Sequence, residues 1–189
     1  ALTKKAEQPD AADPQFSKDG RFVYFSGRDA RYRYDRDPNE GIWQIKRFDR
    51  RNGQITPLTG EFGGCAAPTM SPDGSKLAFI RRVRSVTMLE WLDLASGRIQ
   101  RVAEGLTRDN QEGFSFHGTF PGYAWMPDGN SIVATAGGKI WRYNVADGAR
   151  TPIPFVAQVD QTVSEAVRSP QKLGAEPVRI RVIRWPAMS

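Results

Sequence analysis

Few residues of this 189-residue chain have the chemistry that catalysis or metal binding needs. It contains one histidine, His117, and one cysteine, Cys65. Hydrolytic metal sites need clustered His, Asp, Glu or Cys ligands, so only an all-carboxylate site remains open. Asp35, Asp37 and Glu40 are close in sequence and could bind Ca²⁺ weakly, or could belong to a solvated loop. We expect no catalytic residue, no metal site and no cofactor in this chain.

Nucleophilic and phosphate-binding motifs are not found either. A serine or cysteine nucleophile needs an adjacent base. His117 could be that base only if the fold delivered it to a pocket, and no Gly-x-Ser-x-Gly elbow is present. Gly137-Gly138 is not followed by a Gly-Lys-Ser/Thr motif, so we predict a hairpin turn there rather than a phosphate loop. Cys65 is interpreted as a small buried hydrophobe.

The composition is that of a globular protein, with 39% hydrophobic and 25% charged residues. No apolar run approaches the roughly 18 residues that span a bilayer, so we expect no membrane insertion. Residues 1–8 lack the apolar core of a signal peptide. We therefore expect that any targeting segment was removed or never present.

Basic residues are scattered along the chain. The net charge is +6, and a basic surface can attract nucleic acid or acidic partners. Because the arginines fall in separate short groups, we interpret them as solvated surface and expect no nucleic-acid partner. These groups are Arg31, Arg33 and Arg36; Arg81, Arg82 and Arg84; and Arg179, Arg181 and Arg184.

A repeat organises the chain. Residues 14–25 return as residues 68–79 and again as residues 123–134. The Asp-Gly pairs that begin at Asp19, Asp73 and Asp128 are 54 and 55 residues apart, a spacing that suits a four-stranded propeller blade.

Each repeat predicts the same meander of strands. A first strand ends in Phe16, Met70 or Trp125, and a tight Asp-Gly turn leads into an apolar second strand. The third strand carries Trp43, Trp91 or Trp141, and a second glycine turn precedes a polar last strand. We interpret the recurring tryptophans as equivalent residues of the core between blades. No segment has convincing helical periodicity; residues 158–167 come nearest.

The predicted fold class is all-β, a partial β-propeller with three four-stranded antiparallel blades plus the first strand of a fourth. Residues 185–189 parallel residues 67–71 and then stop, so we expect either a fragment or two copies that complete a ring. The expected organisation is 1–12 N-terminal extension, 13–60 blade 1, 61–105 blade 2, 106–154 blade 3 with a long preceding loop, 155–184 inter-blade connection, and 185–189 the stub of blade 4.

The meander also predicts where binding occurs. The first and third turns of each blade lie on one rim, and the remaining loops and inter-blade connections lie on the other. The long segments 28–41, 106–122 and 155–176 all belong to that second rim, where binding usually concentrates. The alternative is that they pack on the rest of a larger protein. The candidate binding residues are Tyr32, Tyr34, Phe114, Phe116, His117 and Phe120.

The run Ser71–Phe79 resembles the Pro-Asp-Gly repeat of TolB-type propellers. Residues 121–129, 137–142, 153–155 and 159–162 resemble the N-terminal propeller of large secreted bacterial proteins that carry a metal-dependent amidohydrolase domain. This resemblance implies a periplasmic or secreted location and a catalytic domain outside this chain. The family's His-x-His metal site does not carry over, since His117 is the sole histidine.

Three functions remain open. The first is a non-catalytic propeller segment of a secreted or periplasmic hydrolase, for domain docking or substrate access. The second is a TolB-like protein-interaction module, and the third is the propeller of a prolyl-oligopeptidase-like serine peptidase. The expected partners are the rest of the parent protein or a second copy completing the ring, and possibly another protein.

Overall fold

The computed structural model describes residues 10–28, 42–60, 63–109, 122–165 and 167. These residues form twelve β-strands and no helix. The strands are β1 Asp10–Phe16, β2 Phe22–Arg28, β3 Gln44–Asp49, β4 Ile55–Pro57, β5 Cys65–Met70, β6 Lys76–Val83, β7 Val86–Asp93, β8 Ile99–Glu104, β9 Tyr123–Trp125, β10 Ser131–Ala136, β11 Lys139–Asn144 and β12 Arg150–Ile153.

The strands form three separate four-stranded sheets, β1–β4, β5–β8 and β9–β12. In each sheet the spatial order follows the chain, and every neighbouring pair is antiparallel. This arrangement confirms the predicted three-bladed meander, and we call the sheets the first, second and third blades. The predicted stub of a fourth blade, 185–189, lies outside the described residues.

The Asp-Gly turns form as predicted, and the second blade shows why. The Gly74 amide donates to the carbonyl of Ser71 (2.9 Å), and the Lys76 amide donates to the Ser71 hydroxyl (2.9 Å). Asp73 accepts a hydrogen bond from that hydroxyl at 2.6 Å. Gly74 has a φ of 78°, and a Cβ there would lie 3.2 Å from the Cβ of Lys18 in the preceding turn. Glycine is therefore required by conformation and by close packing of successive turns.

The first strands of blades one and two carry a bulge that the sequence did not indicate. Asp13 and Ala67 occupy the same repeat position, with φ of 54° and 56°, and the strand register shifts around each. The Ser26 hydroxyl donates to the Asp13 carboxylate (2.9 Å) and accepts from the Ala67 amide (2.8 Å), which links the two bulges. Strand β1 begins at Asp10, inside the segment expected to be an N-terminal extension.

Two apolar cores lie between successive blades. Leu77 and Phe79 of β6 pack with Tyr24 and Ile45 of the first blade. The alternate residues Ala78 and Ile80 belong to the core with the third blade; its other buried members are Leu89, Val102, Leu106, Ile132, Ala134, Tyr143 and Val145. Because successive strand residues point to opposite faces, the middle blade contributes to both cores.

The three tryptophans are not equivalent, contrary to the sequence interpretation. Strands β3, β7 and β11 end at matching positions of the repeat. In each blade, the last residue of this strand pairs with the residue three places after the Asp of that blade's Asp-Gly turn. Trp91 lies two residues before that end and Trp141 three, while Trp43 precedes β3. Trp91 and Trp141 pack against the core between the second and third blades, and Trp43 instead stacks under the Arg28 guanidinium.

Residues 156–165 are described as a separate unit from residues up to 155. They form neither helix nor strand and are exposed, including Val156 (99%), Val159 (76%) and Val163 (81%). This finding agrees with the absence of a convincing helical pattern in the sequence.

Candidate binding surface

The sheet topology separates two rims at opposite ends of the strands. The turn rim comprises residues 17–21, 50–54, 71–75, 94–98, 126–130 and 145–149. Of the described residues, the loop rim comprises Arg28, 42–43, 58–60, 63–64, 84–85, 105–109, Gly122 and 137–138. Gly137 and Gly138 form the predicted two-residue hairpin turn, both with positive φ, as turns of this length prefer.

The six residues predicted to form the binding surface, Tyr32, Tyr34, Phe114, Phe116, His117 and Phe120, lie outside the described residues. So do Asp35, Asp37 and Glu40. The structure therefore does not test whether these residues lie close together. It does show the residues from which both long segments, 29–41 and 110–121, leave the blades.

A buried ion pair stands where segment 110–121 begins. Asp109 is completely buried, and its Oδ1 lies 2.5 Å from Nη2 of Arg82. The Thr87 hydroxyl donates to Oδ2 of Asp109 at 2.6 Å and accepts from the Asp109 amide at 3.0 Å. Nη2 of Arg82 also donates to the Asp109 carbonyl at 2.7 Å. These bonds satisfy the buried carboxylate, so the conformation at Asp109 is held from both its side chain and its backbone.

Arg82 connects further parts of the loop rim. Its amide donates to the carbonyl of Gly64 (3.1 Å), and a Cβ at Gly63 would lie 1.9 Å from its carbonyl oxygen. The connection between the first and second blades is thus in direct backbone contact with β6. On the other side, the Thr107 amide donates to the carbonyl of Thr135 in the third blade at 3.1 Å. Hydrogen bonds at the described loop rim therefore join the second blade to the connection that precedes it and to the third blade.

The other long segment, 29–41, also leaves from an ion-paired arginine. Nη2 of Arg28, the last residue of β2, lies 3.1 Å from Oδ2 of Asp10. The Arg28 guanidinium carbon lies 4.1 Å above the ring of Trp43, which follows the segment. Arg28 and Trp43, which flank this segment in the chain, are thereby held together.

These contacts correct the interpretation of the second arginine group as solvated surface, while the other two groups lie outside the described residues. The side chain of Arg82 is only 13% exposed, and that of Arg81 is 20% exposed with Nη1 3.6 Å from Oε1 of Glu90. Arg84 is exposed, as expected. Sequence reasoning overlooked Asp109 because its partners lie 22 and 27 residues away, and no local pattern connects them.

Tyr123 packs against the core between the second and third blades. Its hydroxyl, which has a single proton to donate, lies within hydrogen-bond distance of the carbonyls of Ala78 (3.0 Å) and Ala67. Burial raises the pKa of this phenol well above its usual value, so Tyr123 stays neutral and acts as a hydrogen-bond donor. Cys65 is fully buried at the start of β5, which confirms its interpretation as a core residue.

Carboxylates of the turn rim are shifted in the opposite direction. Hydrogen bonds from Ser71 and Ser75 hold the pKa of Asp73 far below its usual range, and bonds from Ser17 and the Arg21 amide lower the pKa of Asp19. Such shifts are typical of turn carboxylates that cap backbone amides. These carboxylates therefore stay charged and act only as hydrogen-bond acceptors, so we assign them no proton-transfer role.

Within residues 10–28, 42–60, 63–109 and 122–165, no three His, Cys, Asp or Glu side chains gather as a metal-binding group. The described part of the chain also contains no helix with the length and apolar character needed to cross a bilayer.

No protein-family model matches this sequence. No curated protein matches it either.

Solved structures show the likeness in fold. TolB from Acinetobacter baumannii has a TM-score of 0.54 at 20% identity, over 77% of this chain and 32% of that one. A protein from Agrobacterium tumefaciens assigned as TolB has a TM-score of 0.57 at 18% identity, over 80% of this chain and 50% of that one. The β-propeller domain of the Trilobed protease from Pyrococcus furiosus has a TM-score of 0.50 at 16% identity, over 76% and 42%. The chain thus spans half or less of each, and its three blades have the TolB-like β-propeller fold.

Proposed function

We propose that this chain is a non-catalytic propeller segment of a larger secreted or periplasmic hydrolase of the amidohydrolase type. Its loop rim serves domain docking or substrate access. The observation that carries the proposal is the Arg82–Asp109–Thr87 anchor, which holds the start of segment 110–121 by five hydrogen bonds and an ion pair of 2.5 Å. Desolvating a buried charge costs roughly several kcal/mol, and we infer that this ion pair fixes the geometry of the chain where segment 110–121 begins.

Docking by the third blade is the second part of the proposal. Ile45, Leu89 and Ile140 occupy the same repeat position, on the face that points to the following blade. Ile45 and Leu89 are fully buried there, whereas Ile140 is partly exposed, as is Ile153 (37%) beside it. Further blades of the parent protein, or a second copy of this chain, would cover this face as the first two are covered.

A TolB-like protein-interaction module is the second candidate, favoured by the likeness to the TolB structures. The likeness to the propeller domain of the Trilobed protease keeps the serine-peptidase alternative open. These candidates share the fold and differ in what the parent protein does.

Assays of the chain itself test the absence of catalysis. Panels of N-acyl amino acids and chromogenic peptides, with and without added Zn²⁺, should release product at the rate of buffer alone. Turnover that co-purifies with the chain and disappears with a chelator would contradict the proposal.

The full natural gene product distinguishes the three candidates. Chelator-sensitive hydrolysis of N-acyl substrates supports the amidohydrolase, and inhibition by a serine-directed phosphonate supports the peptidase. No hydrolysis of either substrate class supports the interaction module. If the full gene product is a hydrolase, Asp109→Ala should lower its kcat/KM. Glu104→Ala, which breaks an exposed ion pair, should leave kcat/KM unchanged.

A further inference from the structure

An ordered group of arginines lies at the turn end of the first blade, on the rim opposite the candidate loops. We call Arg21, Arg47, Arg50 and Arg51 the arginine cluster. Arg50 and Arg51 are exposed, Arg21 is 37% exposed and Arg47 is half-buried. The proposed function makes no use of this surface.

The ring of Phe22 contacts two of these guanidinium groups. The Cζ atoms of Arg21 and Arg47 lie 4.6 and 4.7 Å from the ring centroid of Phe22. Arg21 also donates to the Asp49 carboxylate through Nη2 (2.7 Å) and Nε (3.2 Å). Stacking of this kind orients a guanidinium while leaving its edge free to donate.

Arg50 is held in a similar way at the neighbouring turn. Its Cζ lies 5.7 Å from the ring centroid of Phe16, and its Nη1 donates to the carbonyl of Gly20 at 2.6 Å. Within the described part of the chain, the guanidinium groups of Arg47 and Arg51 donate no hydrogen bond to the protein. The cluster therefore combines fixed positive charge with unused donors.

The other two blades show that the fold does not need these arginines. They make the same turns, with Ser75 and Asn130 at the position of Arg21 and with Leu94 and Val145 at the position of Arg50. Each of them keeps one cation over one ring, Lys76 over Trp91 at 5.5 Å in the second blade and Arg150 over Trp141 at 4.3 Å in the third, where the first blade has two over Phe22.

Charge along the turn rim follows the same division. Turns 17–22 and 49–54 of the first blade hold four basic and two acidic residues. The matching turns of the second blade hold two of each, and those of the third hold two acidic residues and no basic one. Positive charge is therefore concentrated at one end of this rim.

We propose that the arginine cluster is a docking site for an acidic polypeptide segment, whose carboxylates pair with the guanidinium groups of Arg47, Arg50 and Arg51. Asp49 already forms the matching pair with Arg21 inside the cluster. Guanidinium groups bind carboxylates through two parallel hydrogen bonds.

Single-stranded nucleic acid fits this surface less well. Its non-specific binding relies on aromatic faces that stack with bases, and on a groove that follows several phosphates. Here the Phe22 ring is already covered by Arg21 and Arg47, and the cluster extends over the turns of one blade only. Carboxylates need only the guanidinium edges.

Fluorescence anisotropy with a labelled octaglutamate peptide tests the site, using the full chain at low salt, where charge interactions reach about 30 Å. The variant Arg47→Gln/Arg51→Gln removes two guanidinium groups that donate no hydrogen bond to any described residue. Arg98→Gln/Arg101→Gln in the second blade removes the same charge from exposed positions and serves as the control. A thermal melt of each variant verifies folding.

We expect saturable binding that weakens about tenfold in the cluster variant and less than about twofold in the control. Equal loss in both variants would show a net-charge effect and overturn the proposal, as would absence of binding by the wild type. Tighter binding of a labelled oligothymidylate of equal charge would also overturn it in favour of nucleic acid.

Discussion

Strand β6 of the second blade and strand β10 of the third occupy the same place in the repeat, yet they are buried differently. Residues 77–80 of β6 are all completely buried. In β10, Ile132 and Ala134 are buried while Val133 and Thr135 between them are partly exposed. The second blade is covered on both faces, and the third blade on one. Coverage by neighbouring blades, more than the repeat itself, therefore sets how much each strand contributes to stability.

The first blade extends this comparison. Tyr24 faces the second blade, and Val23 and Phe25 point to the opposite face, yet both of these are also buried (4% and 5%). Among the described blades, the third therefore has the most open face.

The largest expected effect is at the doubly covered strand. Phe79→Ala should lower the free energy of unfolding by about 4 kcal/mol, because it leaves a cavity in a fully buried site. Val133→Ala should lower the free energy of unfolding by less than about 1 kcal/mol, because Val133 is partly exposed to solvent. Denaturant melts of both variants measure the difference. Similar losses would mean that the third blade's outer face is covered in solution.

The ion pair at the loop rim should have the next largest effect. Asp109→Ala should cost about 3 kcal/mol, because it leaves the Arg82 charge in a buried site. Glu104→Ala removes the partner of an ion pair whose side chains are 57% and 64% exposed, and should cost under about 0.5 kcal/mol. Both values come from urea melts. A small loss at Asp109 would show that the anchor is not needed for the rim's structure.

Two tyrosines compare satisfied and unsatisfied hydroxyls in the same core. Tyr123→Phe removes a donor bonded to backbone carbonyls of the second blade and should cost about 1 to 2 kcal/mol. The hydroxyl of Tyr143 has no hydrogen-bond partner among the described residues, so Tyr143→Phe should be neutral within about 0.5 kcal/mol. Thermal melts test both, and a costly Tyr143→Phe would indicate a bound water there.

Alkaline pH tests the contact of the Tyr123 hydroxyl by titrating it. The folded pKa of Tyr123 is raised above its unfolded value of about 10. Stability from this group is therefore complete below pH ~10 and is lost as the pH rises further, because the unfolded chain releases the proton first. Wild type should lose stability above pH ~10 faster than Tyr123→Phe does. Parallel curves would contradict the assignment.

The smallest effect is expected at the turns. Ser71→Ala removes bonds to the Asp73 carboxylate and the Lys76 amide and should cost about 1 kcal/mol. The depressed pKa of Asp73 contributes stability above pH ~4, which is lost as the pH falls through its folded value. In the variant this acid-dependent loss should shrink, as measured by melts at a series of pH values. The third turn has Met126 in place of the serine, so Met126→Ala is the control.

Local signals predicted most of the architecture. The Asp-Gly turns at residues 19, 73 and 128 and the apolar runs between them predicted all three meanders, because turn conformation and strand alternation depend on adjacent residues. The paired bulges at Asp13 and Ala67 were missed, since their φ angles carry no fixed residue signature. The prediction that the three tryptophans are equivalent was wrong, because similar spacing to a glycine turn does not establish strand register.

The candidate binding site on the loop rim stays a prediction. Loop lengths indicated a loop rim, and the structure shows the anchors at Arg28 and Arg82 from which its long segments leave. The specific predicted residues, from Tyr32 to Phe120, lie outside the described residues, and their role stays a prediction. The arginine cluster was missed because Arg21, Arg47 and Arg50 are separated in sequence and meet only across the turns.

The sequence by itself determined the repeat, the turn types, the strand order within each blade and the absence of a second histidine or cysteine. These features depend on residues that are neighbours along the chain. Tertiary structure alone decided which face of each blade is covered, which arginines are buried, and that Asp109 meets Arg82 and Thr87. The physical reason is that burial and ion pairing depend on residues brought together from distant strands, where desolvation and packing outweigh local preference.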